Sequence, residues 1–265
     1  MSAANGGSAR KRTASGMSFV KRGVGKPVLL LHGWCLDGSL WAYEEDELFG
    51  DHQVFVPDLP GFGRSDTMPE PYDMNAHTDA VIELLVEQGL RDVLVIGFAF
   101  GAAVALTVAA RDDSRVSGVI AVGVPSCKVF PAERMARAMR RDWPEFARRS
   151  AAVLCKQPQS DATLSWLERV FGATPLRSAL QGVALLGEFD PLPLCESVSK
   201  PVLFVHGQDD DVIPIREAQA CAESAPRGSL RVLPECGHLV VLDQRHVLHD
   251  TIVGFEDTLT RSDRP

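Results

Sequence analysis

Short runs of apolar and β-branched residues alternate with helical patterns along most of this 265-residue chain. The predicted strands cover residues 28–32, 53–58, 93–97, 118–122, 201–206 and 230–233. The predicted helices cover residues 75–88, 100–110, 215–225 and 244–259. Continuous apolar runs are typical of strands that are buried on both faces, as they are in parallel sheets. The alternation therefore predicts an α/β fold, with a mostly parallel central sheet and helices on both faces.

The interval 126–194 interrupts this alternation. It contains no convincing strand, and large apolar residues recur through it in a helical, arginine-rich pattern. Pro144 is expected to end one helix and to begin the next. A helical insertion between two parallel strands lies over the carboxyl ends of the strands, where such sheets bind ligands. We therefore predict a helical lid over 126–194, a core formed by 17–125 and 195–265, and a disordered basic arm over 1–16.

The charge balance and the cysteine pattern exclude several classes of protein. The formal net charge of −8 argues against a nucleic-acid binder. No apolar run approaches the roughly 20 residues needed to cross a bilayer, and no apolar segment of a signal peptide follows the basic arm. The six cysteines lack metal-ligand spacing and are typical of reduced thiols. These features predict a cytoplasmic protein that does not bind a membrane or a metal, and we expect a monomer without a cofactor.

Residues 93–101 read Val-Leu-Val-Ile-Gly-Phe-Ala-Phe-Gly, and an alanine-rich helical segment follows them. Two glycines at this spacing allow the sharp turn of a nucleophile elbow, which lifts the central side chain above the sheet. The central residue of such an elbow is normally serine, but here it is Ala99, which has no atom that can attack a carbonyl group. Taken alone, this segment is equally compatible with an ordinary turn between a strand and a helix.

A second motif, His32-Gly33-Trp34, follows the first core strand. An oxyanion hole needs two N–H donors that are fixed where negative charge develops. In this layout the donors would be the backbone N–H groups of Trp34 and of Phe100, the residue after the elbow centre. We expect His32 itself to stabilise its loop by hydrogen bonding. The turn-rich segment 58–65 is expected to shape the wall of the site without taking part in chemistry.

Two further residues complete the order nucleophile, acid, base that elbow-type hydrolases show along the chain. Asp210 follows a predicted strand, three residues after a glycine and four before a proline. Its neighbours Asp209 and Asp211 are interpreted as solvated loop carboxylates. His238 follows the last predicted strand in a Gly-His pair and precedes the last helix. Asp210 and His238 are therefore the predicted acid and base.

These motifs resemble the α/β-hydrolase superfamily over residues 17–259, and within it the pimeloyl-[acyl-carrier protein] methyl ester esterases of biotin synthesis. Four segments carry the resemblance, namely residues 30–34, 40–41, 58–65 and the lid residues 153–157. A later lid segment, 180–182, leads to Asp190 and is also similar to the cap of that family. The resemblance implies a serine carboxylesterase without a cofactor, whose substrate is a methyl ester carried on acyl-carrier protein.

The resemblance also assigns roles to individual residues of this chain. It implies that His238 is the base, that Asp210 is the acid, and that Ala99 occupies the nucleophile position. The roles implied for the other matching positions are oxyanion donation by Trp34 and Phe100 and substrate binding by the lid residues Val153, Leu154 and Gln157. Some of these motifs also occur in other small esterases and in carbon–carbon bond hydrolases, so free small esters and carbon–carbon bonds are alternative substrates.

Two explanations of Ala99 remain open at this point. One is a deliberate replacement of serine, made to trap a bound substrate. The other is a natural, non-hydrolytic member of the superfamily that acts as a binding or sensor protein. The otherwise complete set of catalytic residues favours the first explanation. An epoxide hydrolase or a dehalogenase is disfavoured, because those enzymes need a carboxylate at the elbow.

The predicted lid differs in charge from the rest of the chain. Residues 133–149 contain six arginines and three acidic residues, a local net charge of +3 in a chain of −8. Arg134, Arg137 and Arg141 have the spacing that places side chains on one face of a helix. This face is either a solvated surface or a docking site for an acidic partner. Acyl-carrier protein, which the resemblance implies as the substrate carrier, is such a partner.

Overall fold

The computed structural model describes residues 10–67 and 72–262. Its eight strands form one sheet in the order β1-β2-β4-β3-β5-β6-β7-β8. The strands are β1 (Lys11–Arg12), β2 (Ser18–Arg22), β3 (Lys26–Leu31), β4 (His52–Pro57), β5 (Val93–Phe98), β6 (Val116–Val122), β7 (Val202–Gly207) and β8 (Gly228–Leu233). Strands β3 to β8 are parallel to one another, whereas β2 pairs antiparallel with both β1 and β4. The predicted α/β fold and all six predicted strands are confirmed.

Helices cover both faces of the sheet. They are α1 (Ala42–Leu48), α2 (Met74–Glu87), α3 (Phe100–Arg111), α4 (Ala132–Arg141), α5 (Trp143–Val153), α6 (Asp161–Ala173), α7 (Leu176–Glu188), α8 (Pro191–Ser197), α9 (Ile215–Ser224), α10 (Val240–Asp243) and α11 (Arg245–Ser262). The most buried is α3, whose small and apolar residues pack against β5 and β6. This packing fixes the direction in which α3 leaves β5, and with it the position of the elbow.

The prediction of a disordered arm over residues 1–16 is wrong from Arg10 onward, and residues 1–9 lie outside the described residues. Lys11 and Arg12 form β1, which pairs with β2 at the edge of the sheet. The Arg10 guanidinium lies 2.8 Å from the carboxylate of Asp58, which is buried. The basic residues are ordered because they pair with acidic groups of the loop after β4, so their charge does not indicate a solvated arm.

Helices α4 to α8 lie between β6 and β7, where the sequence predicts a helical insertion. The side chain of Asp142 caps α5 by accepting the N–H of Glu145 at 3.1 Å, and Pro144 lies in the first turn. This proline therefore separates α4 from α5 as predicted. Helix α4 packs on α7 and α5 packs on α6, whereas α8 packs on α3 and α9. We call residues 126–194 the lid.

In the part of the chain that the structure describes, no helix combines the length and the apolar character needed to span a membrane.

Candidate active site

The turn after β5 has the backbone geometry of an elbow. Ala99 lies between β5 and α3 with φ of 47° and ψ of −109°, a strained conformation for a residue with a Cβ atom. Its N–H donates to the carbonyl oxygen of Val122 at 2.8 Å, and its own carbonyl accepts the N–H of Ala102 at 2.9 Å. The tight turn places the Ala99 side chain in the wall of a cavity above the sheet.

Close backbone contacts explain the two glycines of this turn. A Cβ atom on Gly97 would lie 2.2 Å from the carbonyl oxygen of Gly101, and one on Gly101 would lie 2.3 Å from that of Leu31. No side chain fits at such distances, because the clashing atoms belong to the backbone. The geometry therefore selects the elbow interpretation over that of an ordinary turn.

The predicted acid and base contact each other directly. The Nδ1–H of His238 donates to Oδ2 of Asp210 at 2.8 Å, which leaves Nε2 free to accept a proton. The other Asp210 oxygen accepts the N–H groups of Val212 at 2.8 Å and Ile213 at 2.9 Å. The His238 ring packs against Phe98, the residue before the elbow centre, with ring centroids 5.1 Å apart. The base therefore lies next to the elbow.

Burial and hydrogen bonding act in opposite directions on the acid. The Asp210 side chain is only 1% exposed, and this burial by itself would raise its pKa. The neighbouring His238 imidazole, together with the hydrogen bonds to the carboxylate, outweighs burial and lowers the pKa of Asp210 below its usual value. Asp210 is therefore ionised at neutral pH, and an ionised acid stabilises a protonated His238.

A second histidine, His206, supports the acid loop and was not singled out from the sequence. It is fully buried at the end of β7, where Nε2 donates to the carbonyl oxygen of Ile213 at 2.8 Å and lies 3.4 Å from Asp210. Burial lowers the pKa of His206 and keeps it neutral. The available signal was a His-Gly pair at the end of a strand, which repeats the His32-Gly33 pattern.

The two predicted oxyanion donors belong to the start of α3 and to the loop after β3. Phe100 is the first residue of α3, and the first-turn N–H groups of a helix have no partner within the helix. Trp34 follows Gly33 in a tight turn that the Leu36 N–H closes onto the Gly33 carbonyl at 3.2 Å. The assignment of both N–H groups to an oxyanion hole remains a prediction.

His32 has the structural role that was expected for it. Its Nε2 accepts the N–H of Leu59 at 2.7 Å, and its Nδ1–H donates to the carbonyl oxygen of Gly33 at 2.8 Å. The ring is fully buried, and burial lowers its pKa. His32 therefore joins the loops after β3 and β4 as a neutral ring.

The cavity above the elbow has a volume of about 250 Å³ and a mostly apolar lining. The sheet side contributes Trp34, Leu36, Phe98, Ala99, Pro125, Asp211, Val212, Ile213 and His238, and the lid side contributes Phe130, Pro131, Met135, Ser150, Val153, Leu154, Phe171 and Leu186. The lid and the sheet thus enclose the elbow and the base together. Val153 and Leu154 line this cavity, and their role in substrate binding stays a prediction.

Gln157, the third predicted lid contact, is not among the described residues that line the cavity. Its Nε2 donates to the carbonyl oxygen of Glu235 at 2.7 Å, and its backbone N–H donates to Asp243 at 3.0 Å. The Asp243 carboxylate also accepts the N–H groups of Lys156 and Gly237. Gln157 therefore ties the lid to the loop before His238, and its assignment as a substrate-binding residue stays a prediction.

The arginine-rich segment divides into two groups. Arg148 and Arg149 both pair with Glu145, and these hydrogen bonds lower the pKa of Glu145 to about 2. Arg134, Arg137 and Arg141 are exposed on α4 and form no ion pair with any described residue. Within residues 133–149, the arginines without an ion pair therefore all lie on α4.

Within residues 10–67 and 72–262, no cluster of three or more histidine, cysteine or acidic side chains is placed to hold a metal ion. All six cysteines are free thiols, four of them buried.

Fold and site together define an α/β hydrolase. The sequence matches the Alpha/beta hydrolase family over residues 28–251, and the chain belongs to that family.

Among its relatives, the pimeloyl-[acyl-carrier protein] methyl ester esterase of Edwardsiella ictaluri is 29% identical over 254 residues, covering 89% of this chain and 95% of that protein. The protein of the same name from Aromatoleum aromaticum is 28% identical over 256 residues, covering 88% and 97%. An esterase structure from Exiguobacterium antarcticum superimposes with a TM-score of 0.87 at 22% identity, covering 94% of this chain and 98% of that one.

Proposed function

We propose that this chain is the framework of a serine carboxylesterase whose nucleophile position is occupied by Ala99. The observation that carries the proposal is the strained elbow at Ala99, which shares one cavity with His238 while Asp210 orients that histidine. An ordinary loop histidine has no need for a buried, ionised acid behind it. Ala99 does not supply the oxygen that would attack the substrate in this arrangement.

With serine at position 99, the reaction follows from the hydrogen bonds. Nε2 of His238 takes the hydroxyl proton while Oγ attacks the ester carbonyl, and the resulting oxyanion is held by the N–H groups of Phe100 and Trp34. The C–O bond to the alcohol then breaks, and His238 gives its proton to the leaving oxygen. Water attacks the acyl-enzyme with the same base and releases the carboxylic acid.

The proposed substrate is the methyl ester of a pimeloyl-type acyl chain on acyl-carrier protein. Two observations support this choice beyond the names of the relatives. The cavity wall is mostly apolar, which suits a methylene chain. The unpaired arginines of α4 lie on the lid, which covers this cavity, and acyl-carrier proteins are acidic.

Substrate binding without hydrolysis is a second candidate function. Loss of the nucleophile is expected to lower the rate by a factor on the order of 10⁴–10⁶, but the lid, the cavity and the backbone donors do not depend on that oxygen. As it stands, the chain therefore retains a binding site for an ester even where turnover is negligible.

The test is ester hydrolysis by the Ala99→Ser variant, measured with p-nitrophenyl butyrate and with a methyl pimeloyl carrier protein. We expect the variant to turn over both substrates, and the unchanged chain to remain near background. Adding His238→Ala to the serine variant should abolish turnover again. A folded serine variant without His238-dependent turnover would contradict the esterase proposal and leave the binding function.

A further inference from the structure

One side chain in the wall of the cavity does not fit an apolar substrate site. Asp211 carries the only carboxylate among the described residues that line the cavity. The other polar side chains in that lining are Trp34, Ser150 and His238. The sequence suggests a solvated loop carboxylate, and Asp211 is indeed exposed, but it also belongs to the lining of the cavity. No described basic side chain forms an ion pair with it.

The position of Asp211 is fixed by the acid of the catalytic pair. The two residues that follow Asp211 donate their N–H groups to one Asp210 oxygen, so the backbone folds tightly around residue 211. On the other side, the N–H of Asp209 donates to the carbonyl oxygen of Cys236 at 2.9 Å. Turning Asp211 away from the cavity by a backbone movement would disrupt the hydrogen bonds that hold the acid. The backbone of Asp211 is therefore held at the cavity wall by the same hydrogen bonds that hold the acid.

A negative charge at the wall of an apolar cavity discriminates between neutral and anionic ligands. Like charges repel more strongly next to low-dielectric walls than in bulk water. Ester hydrolysis converts a neutral group into a carboxylate at the elbow, within the same small cavity as Asp211. The charge thus opposes the entry of a free acid and favours the departure of the acid that is formed.

We propose that Asp211 is a specificity-determining residue that makes this cavity select an uncharged ester over the corresponding carboxylate. This inference rests on the proposed function, because it assumes that acyl chains enter the cavity next to Ala99. It narrows the substrate class to chains whose end at the elbow is neutral. It also gives the product carboxylate a lower affinity than the ester.

Binding to the chain as it stands tests this directly, because Ala99 prevents turnover. The affinities for methyl hexanoate and for hexanoate are measured by calorimetry at pH 7.5 and low salt. We expect the ester to bind more tightly, and Asp211→Asn to reduce this preference about tenfold by improving hexanoate binding alone. Asp209→Asn is the matched control, since Asp209 lies in the same loop but outside the described cavity lining; it should leave the preference unchanged.

High salt provides a second measurement on the same proteins. Because Asp211 is exposed, 0.5 M salt should weaken the preference of the unchanged chain and have little effect on the Asp211→Asn variant. An equal preference in the Asp211→Asn variant and the unchanged chain would overturn the proposal. The proposal would also be overturned if Asp209→Asn reduced the preference for the ester as much as Asp211→Asn does, or if the ester failed to bind.

The outcome is distinguishable from failure of the esterase proposal. If the chain prefers the ester but the Ala99→Ser variant shows no turnover, Asp211 would determine the ligand specificity of a binding protein and not of an esterase. Turnover without charge selection would retain the esterase and remove the role of Asp211.

Discussion

The elbow and the lid contribute to the same cavity but are built in different ways. The elbow is held by buried backbone contacts that leave room only for glycine at positions 97 and 101, and it keeps Ala99 in a strained conformation. The lid consists of regular helices with exposed arginines on α4. The framework around the reacting atoms is thus rigid and specific, whereas the lid surface is free to present charge to a partner. Changes in the two regions should therefore affect different measurements.

The largest expected effect concerns the acid of the catalytic pair. In the Ala99→Ser variant, Asp210→Asn should lower kcat by about 10⁴, because the amide no longer holds His238 in the required tautomer. Asp209→Asn should change kcat less than twofold, since its side chain does not contact His238. Both are measured by hydrolysis of p-nitrophenyl butyrate. Similar small effects at the two positions would show that another residue is the acid.

The lid prediction concerns binding to the carrier and not the chemistry. Changing Arg134, Arg137 and Arg141 together to Glu should weaken the affinity for acyl-carrier-protein substrate by at least about tenfold at low salt. Hydrolysis of a free ester by the serine variant should stay within about twofold. The affinity of the unchanged lid should also fall steeply with salt, because exposed charges are screened beyond about 8–10 Å.

A matched control reverses the same number of charges elsewhere. Arg91, Arg216 and Arg231 are exposed and lie outside the lid, so changing them to Glu alters the net charge equally. An equal loss of affinity in both triple variants would show that the net charge of the protein, and not the position of the lid arginines, determines binding to the carrier. An unchanged affinity after reversal of the lid arginines would show that this face of α4 is only a solvated surface.

The smallest expected effect is on stability, and it has opposite signs in the two regions. Ala99→Gly should raise the free energy of unfolding by about 1 kcal/mol, because glycine adopts the elbow conformation without strain. Ala138→Gly, on an exposed position of α4, should lower it by about 1 kcal/mol, because glycine is a poor helix former. Urea unfolding of both variants measures the two effects. A loss of stability at position 99 would mean that the elbow stores no strain.

How much the sequence predicts also differs between regions. The six core strands can be predicted because each is a continuous apolar run. The elbow, the acid and the base can be predicted because glycines flank or precede them and because they follow one another in a characteristic order along the chain. Strands β1 and β2 are not predicted because they are short, and antiparallel pairing of β1 with β2 and of β2 with β4, not apolar content, makes them strands. The basic residues before β2 were interpreted as a loose arm because their acidic partners are distant in sequence.

Side-chain direction was the part that sequence patterns could not supply. The place of Gln157 in a lid segment predicts a substrate contact, but in the structure its backbone N–H donates to Asp243 and its side-chain amide donates to the carbonyl oxygen of Glu235. Asp211 was interpreted as a solvated carboxylate, but the tight turn around it places it in the cavity wall. The position of Gln157 depends on hydrogen bonds to segments far away along the chain, whereas that of Asp211 depends on a local turn whose geometry the sequence pattern does not specify.

The central claim, that position 99 is the nucleophile position of an otherwise complete esterase site, is tested most directly by covalent labelling. A fluorophosphonate is added to the unchanged chain, to the Ala99→Ser variant and to that variant with His238→Ala, and intact masses and peptides are analysed. We expect one adduct, on the peptide that contains position 99, to form rapidly in the serine variant, far more slowly with His238→Ala, and not on that peptide in the unchanged chain. A folded serine variant that is not labelled at position 99, or is labelled equally fast without His238, would contradict the account.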